Sequence, residues 1–166
     1  MVNQIHRLDF SQIDSPRIRR FRDYWNGKRA SPDVIPLRAD FDPAHVRELL
    51  PDIVVIEVEQ DPSRFRYRLV GTRVVEFNNL DFTGLYLGTI GWQEERQLVD
   101  ACTDVVVGKK PLCGFYTWTL KNGGIGKCEF AIFPFSNDGL AVTQILGIED
   151  YDFPRDHRGA RSRGRK

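Results

Sequence analysis

Apolar residues recur at spacings of three and four in two stretches of the chain and at a spacing of two in several others, and the change of period divides the sequence into elements. Over 15–28 (SPRIRRFRDYWNGK), Ile18, Phe21, Tyr24 and Trp25 share one stripe behind a Ser-Pro start, which predicts an amphipathic helix ending near Gly27. Asp42-Pro43 opens a second, short helix through Val46, Leu49 and Leu50 to the break at Pro51. Ile53 to Glu59 (IVVIEVE) is too short for a helix and rich in β-branched residues, so it reads as a strand covered on much of both faces. Beyond the turn residues Asp61-Pro62-Ser63, the aromatic and aliphatic Phe65, Tyr67 and Leu69 alternate with Arg64, Arg66 and Arg68, completing a hairpin.

Breakers at Asn78-Asn79, Gly84 and Gly88 make 71–90 a run of short turns. A long helix is predicted over 92–107, with Trp92, Val99, Cys102 and Val106 on one face and Gly108 as its stop. Three strands follow at 112–120, 128–135 and 140–148, joined by Asn122-Gly123-Gly124 and Ser136-Asn137-Asp138-Gly139. Hairpin-linked strands make the sheet mainly antiparallel. The expected fold class is α+β: a five-stranded antiparallel sheet with helices on one face, plus the N-terminal amphipathic helix.

Four groups of residues resemble a known family. They are Arg38-Ala39-Asp40-Phe41-Asp42-Pro43 with Leu49-Leu50-Pro51, then Tyr67-Arg68-Leu69-Val70-Gly71-Thr72, then Asp81-Phe82-Thr83-Gly84, and finally Glu129 through Phe135 with Asp138-Gly139. The pattern is similar to that of PAS domains, and within them to the single-domain PAS proteins of alphaproteobacteria. Relatives carry Gly-Arg where this chain has Asn79-Leu80; Asn tolerates the left-handed backbone that the glycine provides, whereas any contact made by the arginine is lost. The resemblance implies a sheet whose concave face encloses a pocket for a small molecule, and a role in sensing or dimerisation. It divides the chain into an N-terminal extension with the amphipathic helix (1–35), a PAS-like domain (36–150) and a basic tail (151–166).

Composition changes this picture little. With 166 residues and 41% hydrophobic content, one core is the expectation. The formal charge of +1 conceals an uneven distribution, since 155–166 (RDHRGARSRGRK) holds six Lys/Arg against one acid, leaving eighteen against 22 elsewhere. Such a tail is expected to lack structure in isolation and suggests nucleic acid or an anionic membrane only weakly. Cys102, Cys113 and Cys128 form an odd set without metal-knuckle spacing, so free thiols in a reducing compartment are expected. With neither a signal-like run nor a transmembrane segment in the sequence, the expected location is the cytoplasm.

Candidate chemistry follows the predicted faces. Tyr67, Leu69, Trp92, Cys102, Phe115, Thr117, Glu129 and Phe133 are the expected pocket residues, with core filling as the competing explanation. Glu129 stands out, because a carboxylate in the apolar run KCEFAIF needs a partner if buried. Neither haem nor flavin is expected: the long helix carries no histidine, and no cysteine sits in the polar motif of the PAS flavin photosensors. The stripe Ile18, Phe21, Tyr24 and Trp25 is read as an interaction helix, facing a second copy of the chain or a signalling protein. Two further readings remain open. Arg64 and Arg68 have a spacing that could grip the phosphates of a cyclic di-nucleotide, and a small lyase or isomerase could use Glu129 or Asp81 as base with Tyr67 as donor. The favoured reading is a stand-alone sensory module without catalytic activity and without a metal.

Overall fold

The computed structural model describes residues 2–60, 64–120 and 123–151. Three α-helices and six strands are defined among them: β1 (Val2–Leu8), α1 (Pro16–Gly27), β2 (Ile53–Glu59), β3 (Arg64–Val70), α2 (Thr72–Asn78), α3 (Glu95–Gly108), β4 (Leu112–Thr119), β5 (Ile125–Ser136) and β6 (Val142–Asp150). The six strands form one antiparallel sheet in the order β1-β4-β5-β6-β2-β3. Five of them were expected. The sixth, β1, pairs with the outer edge of β4, placing His6 opposite Phe115 and Ile5 opposite Tyr116.

Apolar side chains line both faces of this sheet, which explains why β2 is apolar at both parities. Val55, Ala131, Phe133, Phe135, Leu146 and Ile148 point to one face, where α1 covers them with Ile18, Phe21 and Trp25. Val54, Ile56, Tyr67, Ile132 and Ile145 point to the other, beneath α2, α3 and the 79–94 connection. The helices are therefore split between the faces. The second predicted helix is a 3-10 segment (Pro43–Asp52) with a non-helical residue at Val46 and Pro51, which has no N–H to donate, inside it.

The family-like residues have local structural reasons. Gly71 leaves β3 so close to the 3-10 segment that a Cβ would lie 2.3 Å from the Pro51 carbonyl oxygen. Asp81 accepts the Thr83 N–H in a tight turn, and Gly84, at φ 87°, redirects the chain along β3. There the Gly84 N–H donates to the Tyr67 carbonyl, the Tyr67 N–H to Leu85 and the Leu87 N–H to Phe65, so the free edge of β3 is covered. Asn79 ends α2 at φ 52°, ψ 33°, a left-handed conformation that Asn tolerates better than other non-glycine residues. Leu80 beside it is 41% exposed.

Candidate ligand cavity

A chamber of about 70 Å³ lies between the sheet and the helices α2 and α3. Its floor comes from alternate residues of the central strands: Val54 and Ile56 on β2, Tyr67 on β3, Phe130 and Ile132 on β5, and Glu149 on β6. Phe82, Leu87 and Trp92 close it from the 79–94 connection, and Leu98, Ala101 and Cys102 from α3. Gly147 keeps the floor low, since a Cβ there would sit 2.7 Å from a Val54 methyl. The rings interlock, Tyr67 edge-on to Phe82 at 4.6 Å and Phe82 edge-on to Trp92 at 5.0 Å.

The connection that closes the chamber is held by one carboxylate. Glu95, buried at the start of α3, accepts the N–H groups of Gly88, Ile90 and Gly91 at 2.8 to 3.0 Å. Three donors on one side chain fix a loop that contains two glycines at φ 93°. Beyond Trp92 the chamber leads to an open groove lined by Phe77, Asn78, Trp92, Glu94 and Trp118. Chamber and groove share Asn78, Trp92 and Glu94.

At the far end, Glu149 Oε2 accepts hydrogen bonds from the hydroxyls of Tyr116 (2.8 Å) and Tyr151. Burial raises the pKa of Glu149, and the two hydroxyls pull it partly back. Next to it in the chain, Asp150 points to the opposite face and accepts the Ser15 hydroxyl at 2.6 Å. Ser15 caps α1, accepting the Ile18 N–H, while Glu129 accepts the N–H groups of Asp14 and Ser15 at 3.0 and 2.8 Å. Asp52, with no exposed surface, receives Arg17 of α1 at 3.1 Å and Arg73 of α2 at 2.8 Å. A buried polar network thus joins the start of α1 to the strand end that carries Glu149.

Of the pocket residues expected from sequence, Tyr67, Trp92 and Cys102 line the chamber. Leu69 does not; the register shift between Val55 and Ile56 leaves Arg68 as an extra residue in β3, so Leu69 turns to the opposite face and is 49% exposed. Phe115, Thr117, Glu129 and Phe133 share a parity that faces away from the chamber. Phe115 stacks on His6 at 4.7 Å, Thr117 pairs with Lys127, Glu129 holds the start of α1, and Phe133 packs against Phe21 and Trp25. Their neighbours Tyr116 and Phe130, together with Ile5 of β1, supply the wall instead.

The other sequence-derived contacts change similarly. Ile18, Phe21 and Trp25 cover the sheet of their own chain with at most 2% exposure, and Tyr24 packs edge-on to Phe41, so the stripe offers no apolar face to a partner. Arg64 lies over the Tyr86 ring and 4.0 Å from Glu59, and Arg68 reaches Glu57 at 3.0 Å. Both guanidiniums sit in intramolecular ion pairs. Asp81 is engaged in its turn, and Glu129 lies across the sheet from Tyr67, so the three groups of the lyase reading do not meet. All three cysteines are buried and free, and burial pushes Cys102 and Cys113 up to about 12, too high for a reactive thiolate at neutral pH. The basic tail from residue 152 lies outside the described residues.

The helix-covered antiparallel sheet with a chamber beneath it fits the PAS class. The chain belongs to the PAS domain family, whose sequence model matches residues 13–149. The match begins after β1. No curated protein matches. Among solved structures, an RNA-binding light-oxygen-voltage receptor is 13% identical with a TM-score of 0.46, over 75% of this chain and 37% of that one. A light-oxygen-voltage domain studied with a flavin analogue is 12% identical with a TM-score of 0.47, over 76% and 98%. The light-oxygen-voltage protein of Rhodobacter sphaeroides is 10% identical, also at 0.47, over 87% and 73%.

These TM-scores below 0.5 transfer no ligand. The expectation that neither flavin nor haem is bound is judged on the size of the chamber itself. Sites for ligands of that size occupy roughly 300–1,000 Å³. A chamber of about 70 Å³ does not admit an isoalloxazine or a porphyrin as folded. No helix among the described residues is long and apolar enough to cross a membrane.

Proposed function

We propose that this chain is a sensory PAS module that takes a small molecule in the chamber beneath α3 and reports its presence through the start of α1, without catalytic activity of its own. The observation that carries the reading is the placement of Glu149 and Asp150 on consecutive positions of β6. One ends the chamber and the other holds the cap of α1. A side chain that moves to meet a ligand at Glu149 therefore moves the strand segment on which Ser15 depends. Interior groups packed at crystal-like density transmit such displacements with little loss.

The expected readout is a changed contact between α1, or the surface around it, and a second copy or a signalling protein. Support for this comes from the sensory character of the PAS family and from the polar network, which ties the start of α1 to β5, β6 and Asp52. A cyclic di-nucleotide reading is not favoured, because both arginines that suggested it are ion-paired. The test is native mass spectrometry of the purified chain beside Cys102→Phe, whose larger side chain fills the chamber, each exposed to a small-molecule filtrate of cell extract. A mass increment on wild type that the variant lacks supports the reading. Identical spectra for the two proteins would remove the chamber as the binding site.

A further inference from the structure

We propose that the chamber and its groove select a small organic cation, with a methylated or primary ammonium group held between Glu94 and Glu149 against the faces of Trp92 and Tyr116. This rests on the reading of the chamber as a ligand site and specifies its chemistry.

Charge is the first argument. Among the described residues, those lining chamber and groove include two carboxyl groups, Glu149 at the inner end and Glu94 at the shared mouth, and no Lys, Arg or His. An anion entering this space would meet no positive partner among the described lining residues, whereas a cation would find two carboxyl groups whose ionised form it favours in a low-dielectric interior. The guanidinium cluster of β3 belongs to the hairpin and is tied to Glu57 and Glu59.

The walls supply the second argument. Tyr67, Phe82, Trp92, Tyr116 and Phe130 surround the chamber, and Phe77 and Trp118 continue the aromatic surface along the groove. Ring faces carry negative potential, so a cage of aromatics with a carboxylate is the arrangement that binds ammonium groups. Hydrogen bonds supply the third. Both tyrosine hydroxyls donate to Glu149 Oε2, which fixes this carboxyl at the inner end of the chamber.

Size limits the ligand. The inner chamber of about 70 Å³ takes a headgroup, and the open groove, about 580 Å³, leaves room for a tail of varied length. Choline is therefore a suitable probe, since its uncharged carbon isostere, 3,3-dimethylbutan-1-ol, has the same shape.

Titration calorimetry of the full chain with choline, with the isostere and with acetate separates the possibilities. The expected result is 1:1 binding of choline at least tenfold tighter than the isostere, no binding of acetate, and a loss of tenfold or more in both Glu149→Gln and Glu94→Gln. Glu94 is at the mouth, so the second variant remains informative if the first folds poorly, and Trp92→Ala tests the ring face. Equal binding of choline and isostere overturns the inference while leaving a ligand chamber intact. Binding of acetate but not choline reverses its sign. Absence of binding by choline and by putrescine, a primary diamine, overturns it outright, and a neutral or acidic molecule then found by native mass spectrometry would preserve the sensory reading alone.

Discussion

Glu129 accepts two backbone N–H groups at the start of α1 while fully buried, so truncating it strands two donors and opens a polar void. Glu129→Ala is expected to lower unfolding free energy by about 2–3 kcal/mol, and Glu129→Gln, which keeps one acceptor, by less, both read by urea denaturation. Gly71→Ala drives a Cβ into the Pro51 carbonyl and should destabilise beyond the usual ~1 kcal/mol glycine effect. Asn79→Ala should cost about 1 kcal/mol, with Asn79→Gly neutral or stabilising, because φ there is 52°. Glu149 gives a pH signature. Burial raises its pKa above the 4.5 of an ordinary glutamate, opposed by the hydroxyls of Tyr151 and Tyr116, and the charge of Asp52 raises it further. The folded state then holds the proton more tightly, so this contribution is full below the unfolded value and is lost as pH rises through the folded one. Glu149→Gln should therefore gain stability relative to wild type as pH rises from about 4.5, in paired denaturation curves at stepped pH. A flat difference would contradict the burial of a titrating carboxyl.

Within elements, α1 shows how far a hydrophobic stripe can be read. Its spacing gave the helix and its cap, Ser15 before Pro16, but not what it covers. Trp25 is 2% exposed, packs against Phe133 at 5.9 Å and donates Nε1–H to the Pro134 carbonyl at 2.9 Å. Trp25→Ala should thus cost about 3–5 kcal/mol with no change in association state by light scattering; unchanged stability with altered association would restore the partner-facing helix. Strand positions were legible where one parity was apolar, as for Phe65 and Tyr67. In β4 (LCGFYTWT) aromatics occupy both parities, so local pattern cannot tell Phe115 from Tyr116. Pairing with β5 and β1 decides it, and a slip of one residue exchanges the faces. Leu69 failed for a related reason, a bulge that only the partner strand reveals. The β1 segment VNQIHRL mixes polar and apolar residues without alternation, and nothing local marks it as a strand.

At the scale of the molecule, the sheet separates two compartments, an aromatic chamber on one side and α1 on the other, and β6 belongs to both. Charge on the chamber side comes from Glu94 and Glu149, and on the α1 side from Glu129, Asp52 and Asp150 with their arginines and backbone donors. The family residues, Gly71 and 81–84 above all, build the turns that shape the chamber, which is why the sequence was informative about class and uninformative about ligand. The chamber wall depends instead on register and on β1, which lies before the family match. The central claim is that occupancy of the chamber changes the hold on α1. Hydrogen exchange by mass spectrometry over residues 13–18, comparing wild type with the chamber-filling Cys102→Phe and using the β4–β5 hairpin as internal reference, tests it directly. The account predicts a several-fold change in exchange at the Ser15 and Ile18 amides with the hairpin unchanged. Equal exchange at 13–18 in both proteins would contradict it.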